Sequence, residues 1–292
     1  MAGPLTSPAK RRIRDSGTVA VSRPIADTKK PHGDESQAVS APKNLVLMWV
    51  GRLIVTVVVL GVWQLVYVKK VFNPVVTGSP VEVAKFLVDN LVTSTKLWGS
   101  VGVTLWTTLI AFVVGSGLGI GCGLLFARSP KLEHFTNPFF TGFNSVPRIA
   151  LAPLFIVWFG LSQVSSILVG VSLTFFILLS STMAGVASLE RDATTLLDTL
   201  GATERQRFFR ATLPAAVPTL FSGLRLGLVY ALLGVVSGEI IGAPAGLGEK
   251  LSYFAGSFET DAVFGVLIVL GVIGAVIQGV MTLAERKLLR WQ

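Results

Sequence analysis

The sequence predicts an all-α integral membrane protein with six transmembrane helices. Of its 292 residues 51% are apolar and only 14% are charged, where a soluble domain carries about 25% charged residues. The mean hydropathy of +0.69 agrees, since a water-soluble monomer has no means of covering that much apolar surface. The apolar residues are also gathered into runs of about 20, the length a helix needs to cross roughly 30 Å of hydrocarbon. The same composition excludes a collagen-like repeat, and it excludes disorder over the bulk of the chain. The lone Cys122 excludes a disulfide framework and a thiolate metal site, each of which needs at least two cysteines.

Residues 1–44 hold five prolines, eight basic and four acidic residues and no apolar periodicity. Such a segment cannot bury enough surface to offset its chain entropy and is expected to be a disordered basic cytoplasmic tail. It does not read as a secretory signal, because the apolar stretch starts only near Leu45 and no small-residue cleavage site follows. Residues 45–292 read as one transmembrane domain. Leu45–Val68, Val103–Ala127, Gln163–Ala187 and Val263–Ala284 are clean spans, with Arg52 placed to snorkel from the first. Phe135–Leu161 is interrupted by Pro138, Pro147, Arg148 and Pro153, and Ala215–Ile241 by Pro218, Arg225 and Glu239. Between the first two spans, Val81, Ala84, Leu87, Val88 and Leu91 recur at helical spacing. That predicts a weakly amphipathic helix within 80–98, at the outer surface.

Charge placement orients these spans. With the tail inside, eighteen Lys and Arg fall in inside segments and five in outside segments, and Arg148 and Arg225 lie within spans. Basic residues concentrate on the cytoplasmic side, so both termini and the 188–214 loop are expected in the cytoplasm and 242–262 outside. The net charge of +9 therefore reflects membrane flanks, and no nucleic-acid partner is inferred from it. The bilayer is the expected partner.

The second span carries Gly115, Gly117, Gly119, Gly121 and Gly123. On a helix Gly115, Gly119 and Gly123 share one ridge, and small residues four apart let membrane helices approach closely. The ridge reads as tight helix packing or as a sliding surface in a moving bundle. It is not a phosphate loop, since no strand precedes it and no Lys-Ser/Thr follows.

The 188–214 loop is the most informative segment. Leu189, Ala193, Leu196, Leu197 and Leu200 recur at helical spacing, predicting an amphipathic helix over 189–200 with Gly201 as its stop. Thr203 and Gln206 form a capping box for a second short helix, which Pro214 is expected to close. The apolar stripe must dock on something: its own membrane domain, lipid headgroups or a partner protein.

The stretch TLGATERQRFFRATLPAAVPTLFSGLRLGL resembles the loop of binding-protein-dependent ABC importer permeases. The family pattern is a glycine, nine residues, a hydrophobic residue, one residue, then Leu-Pro. Gly201, Ala211, Leu213 and Pro214 stand at those places, while Thr195, Leu196 and Leu197 replace the family's Glu-Ala-Ala. The segments SPVEVAKFL, FNSVPRIALAPLFIVWFGL and SGEIIGAPAGLGEKL extend the similarity to the nitrate/sulfonate/taurine class. The resemblance implies a type I ABC importer permease fold in a bacterial cytoplasmic membrane. It also implies two cytoplasmic ABC ATPase subunits, an external solute-binding protein and a second copy of this chain. The loop helix would be the coupling helix, with Leu196, Leu197, Leu200, Gly201, Ala202, Leu213 and Pro214 meeting the ATPase. No cofactor belongs to this chain: it has no GxxxxGK[ST] motif, so ATP and Mg would be bound by the partner ATPase, and this subunit is not an enzyme.

Arg148, Arg225 and Glu239 are costly in hydrocarbon, about 2.5–3.5 kcal/mol each near a helix centre. They read either as an anion path, with the arginines favouring a sulfonate, nitrate or carboxylate group, or as charges tied into the structure. Arg225 and Glu239 are 14 residues apart, roughly 21 Å along a helix, and cannot pair within it. An ion-coupled secondary transporter using Glu239 would show two matching halves with broken helices, and no internal repeat is found. A membrane enzyme would need a His cluster or carboxylate pair in a span, and His32 and His134 lie elsewhere. Within the importer class, the solute is expected to be nitrate, taurine or an alkanesulfonate, or else a pyrimidine or vitamin precursor.

Overall fold

The computed structural model describes residues 45–128, 135, 138, 140, 142, 146–188, 195–197 and 199–288. The expected tail, 1–44, lies outside these. The chain divides into two units, Met1–Arg52 and Leu53–Gln292. In the first, the Arg52 guanidinium sits 5.1 Å from the centre of the Trp49 ring.

All described secondary structure is helical. The chain forms α1 (Leu45–Val68), α2 (Pro74–Thr77), α3 (Pro80–Val88) and α4 (Lys96–Arg128). It continues with α5 (Ala152–Phe159), α6 (Gln163–Ala187), α7 (Glu204–Arg207), α8 (Leu213–Gly242), α9 (Leu247–Gly256) and α10 (Thr260–Leu288). Among the described residues five helices are long and apolar enough to cross a membrane, within α1, α4, α6, α7–α8 and α10.

The expected sixth span, Phe135–Leu161, is not a continuous helix. Among its described residues Phe135, Pro138, Phe140 and Gly142 are helical, the chain is out of helix at Val146–Pro147, and a 3-10 turn, Arg148–Leu151, then leads into the eight residues of α5, about 12 Å long against roughly 30 Å of hydrocarbon. The physical reason is local. The residue before a proline is disfavoured in the α region, and the chain is out of helix at Val146–Pro147, whereas Pro153 is tolerated because it falls in the first turn of α5. Gly160 then ends α5, its N–H reaching the Ile156 carbonyl at 2.8 Å.

The core is a three-helix pack of α4, α6 and α8, with α6 touching both neighbours. One stripe of α4 is buried: Leu97, Val101, Thr104, Ala111, Gly115, Gly119 and Gly123. A Cβ on Gly119 would stand 2.5 Å from the Phe175 carbonyl oxygen and 2.8 Å from the Leu178 Cβ. Gly115 and Gly123 meet Thr174 and Thr182 in the same way, whereas Gly117 and Gly121 have nothing within 4 Å. The glycine ridge is thus a packing surface against this chain's own α6. α6 also meets α8, and Gly170 sits where the three helices come together, against Ala111 of α4 and Ala231 and Val235 of α8.

The predicted helix within 80–98 is α3 plus a π turn, Asp89–Thr93. It packs on α10, with the Phe86 ring against Gly265 and edge-on to Phe254. Asp261 at the start of α10 accepts the Ser79 N–H at 2.6 Å, fixing the α2–α3 corner.

Candidate functional site

The loop between α6 and α8 is built as its sequence requires where it is described. Residues 195–197 and 199 are helical, while Leu189 and Ala193 lie outside the described residues. Gly201 adopts φ +73, a left-handed conformation that a Cβ disfavours. The Leu200 N–H donates to the Leu196 carbonyl and the Ala202 N–H to the Leu197 carbonyl, both at 3.0 Å. The second is the six-residue closure of a Schellman stop. Leu196 is 60% and Leu200 73% exposed, while Leu197 is half-buried.

The chain restarts two residues later. The Thr203 hydroxyl accepts the Gln206 N–H at 3.3 Å and the Gln206 side chain accepts the Thr203 N–H at 2.9 Å, the reciprocal capping box expected at α7. Pro214, however, does not close this helix. A π turn, Phe208–Thr212, carries α7 directly into α8, and residues 204–242 form one 39-residue helical rod. The Leu213 N–H closes the π turn on the Phe208 carbonyl. Pro214, which has no N–H, then falls in the first turn of α8, where none is required. Leu213 and Pro214 are half-buried at this junction.

The structure does not bring the three intramembrane charges together. The Arg148 guanidinium stacks over the Phe176 ring of α6 at 4.5 Å, within cation–π range. Arg225 on α8 pairs with Glu285 on α10 at 3.2 Å. Glu239 is 1% exposed and ties three helices. The Thr104 hydroxyl of α4 lies 3.0 and 2.9 Å from its two oxygens, and the Gly248 N–H of α9 donates to it at 2.9 Å. Thr104 in turn accepts the Leu247 N–H at 2.8 Å. Gly246, at φ +127, leaves room for this carboxyl group, which a Cβ there would strike. Glu239 therefore accepts the otherwise orphaned Gly248 amide at the start of α9, while the Thr104 hydroxyl bonded to it accepts that of Leu247.

Glu285, Thr104 and Phe176 are absent from the residues picked out by sequence. Glu285 falls one residue beyond the expected last span, and Thr104 is 135 residues from Glu239. The spacing Gly246-Leu-Gly248 after an intramembrane acid was the one local signal.

Comparison with known proteins agrees with this architecture. Residues 115–290 match the family model described as the binding-protein-dependent transport system inner membrane component. SsuC of Bacillus subtilis, named as an aliphatic sulfonates transport permease, is 30% identical over 84% of this chain and 88% of its own length. ThiX of Halalkalibacterium halodurans, a formylaminopyrimidine transport permease protein, is 30% identical over 79% of this chain and 91% of its own. An inward-facing structure of the MetNI methionine ABC transporter shares the fold with a TM-score of 0.57 at 21% identity, covering 65% of this chain and 95% of that one. The chain belongs to the binding-protein-dependent ABC importer permeases: it is a multi-pass inner-membrane subunit and not itself the ATPase.

Proposed function

We propose that this chain lines half of the path by which an ABC importer carries a small anionic solute, of sulfonate type, into the cytoplasm. A second copy supplies the other half, an external binding protein delivers the solute, and two separate ATPase subunits, which hold ATP and Mg, dock from inside. The broken Phe135–Leu161 segment serves as the sixth crossing of a type I fold, leaving both termini cytoplasmic.

The observation that carries this reading is the rigid, exposed turn ending at Gly201. Leu196 and Leu200 present apolar surface, held between a Schellman stop and a capping box, and such surface is suited to a groove on a partner. The turn leads into the 39-residue rod of α7 and α8, about 58 Å long. A displacement imposed by ATP binding at one end is thereby passed to Glu239 and α9 at the other. Binding of loaded receptor and of ATP would bias the same rod toward outward- or inward-open states.

The similarity to SsuC supports a sulfonate, and of the two arginines Arg148, which stacks over Phe176 beside the broken segment, is the one proposed for the path. The 30% identity to ThiX supports a second reading, a pyrimidine precursor. Uptake into proteoliposomes holding permease, ATPase and binding protein tests both. ATP-dependent uptake of an alkanesulfonate without an ion gradient is expected. Selective uptake of a formylpyrimidine favours the second reading, and uptake driven by an ion gradient alone contradicts both.

A further inference from the structure

Phe176 of α6 touches the broken segment on both sides of its interruption. Phe140, before Val146–Pro147, stands nearly perpendicular to the Phe176 ring with the centroids 6.2 Å apart. Arg148, after the interruption, places its guanidinium over the same ring at 4.5 Å. The ring is steadied in turn by Phe175, edge-on at 5.0 Å. Arg148 itself stands on a single 3-10 turn between Pro147 and α5, packed on α6 and α8. A long side chain with much rotamer freedom, on one turn of a helix type with poor hydrogen-bond geometry, takes its direction from what it touches. Here that is the Phe176 ring.

The nature of this contact matters as much as its place. A carboxylate holds a guanidinium by neutralising it and by taking its N–H donors, as Glu285 does at the Nη1 of Arg225, 3.2 Å away. An aromatic ring holds a cation through its quadrupole and brings no charge. α6 carries no acidic residue, so from this helix Arg148 is held by a ring alone. Its charge survives that contact, and its five N–H donors are not spent on it.

We propose that Phe176 is a positioning residue of the solute path: it aims the Arg148 guanidinium, with its charge kept, at the anionic group of the solute, which Arg148 engages as a bidentate, charge-assisted pair. This rests on the reading above that Arg148 lines the path.

Proteoliposomes holding the full importer, with ethanesulfonate as the solute, test this through the amount imported per ATP hydrolysed. Phe176→Leu keeps an apolar side chain but removes the ring, and should lower that ratio about fivefold. Phe176→Tyr keeps the ring and should hold the ratio near the wild-type value. Arg148→Gln should lower it at least as far. Adding Phe176→Leu to Arg148→Gln should then change nothing more, because a residue that acts through Arg148 has nothing left to position. A residue needed only for packing gives effects that multiply. Multiplying effects, a wild-type ratio in Phe176→Leu, or an equal fall in Phe176→Tyr overturns the inference. If Phe176→Leu fails to assemble with the ATPase, Phe176→Met, which refills the space without a ring, is measured in its place. A fall in Arg148→Gln with none in Phe176→Leu defeats this inference alone. A wild-type ratio in Arg148→Gln defeats the placing of Arg148 in the path as well, and a wild-type importer that takes up no ethanesulfonate defeats the sulfonate reading and this inference with it.

Discussion

At the scale of single residues, the buried carboxyl group of Glu239 does the work of a cap between distant parts of the chain. Removing it in Glu239→Ala leaves the Gly248 N–H buried without its acceptor, at about 1–3 kcal/mol. The expected result is a lowered unfolding temperature together with faster amide exchange at Leu247 and Gly248, read by hydrogen–deuterium exchange. Unchanged protection there would show that α9 is held by other contacts. The Arg225–Glu285 pair is partly exposed, at 35% and 18% for the two side chains, so its contribution is modest. A double-mutant cycle with Arg225→Gln and Glu285→Gln should return a coupling of about 1 kcal/mol. A coupling indistinguishable from zero would return Arg225 to the candidates for the solute path.

At the scale of elements, the glycines of α4 divide into two classes that one substitution separates. Gly119→Ala forces a Cβ against the Phe175 carbonyl and Leu178, and overpacking of this kind costs about 1–3 kcal/mol. Gly121→Ala, on the open ridge of the same helix, meets nothing and should leave stability unchanged or raise it by up to about 1 kcal/mol. Thermal unfolding of the two variants in detergent is the comparison, and equal effects would mean that the α4–α6 contact is looser than its geometry implies. Sequence made much of this level legible. Gly201 as a stop and Thr203–Gln206 as a box are local signals that depend on nothing outside five residues, and both are realised. Four of the long apolar runs announced themselves by length alone. What could not be read was non-local or compensated. Pro214 looks like a terminator until the π turn before it removes the need for its missing N–H. Phe135–Leu161 has the length of a span, but the chain leaves helix at Val146–Pro147, and Gly160 ends the short helix that follows. Thr104 looks like any hydroxyl in a membrane helix, which its i−4 carbonyl could satisfy, and only the fold sets it against Glu239.

At the scale of the whole molecule, the described residues hold five membrane-length helices, and the proposed solute path takes its other half from a second copy of this chain. Native mass spectrometry of the purified importer should count two copies of this chain. A single copy beside a different permease would replace the homodimer with a heterodimer. The central proposal is mechanical: the turn at Gly201 receives the ATPase and the α7–α8 rod transmits its motion. Leu200→Asp places an unpaired charge in the proposed groove, which is strongly unfavourable once buried, yet Leu200 is 73% exposed in this chain and the substitution leaves its own folding intact. The most direct measurement is capture of the ATPase subunit by Leu200→Asp permease, followed by ATPase activity in nanodiscs with and without solute-loaded binding protein. Normal membrane insertion with loss of both capture and stimulation is the expected result; capture and stimulation at wild-type levels would contradict the coupling role of this turn.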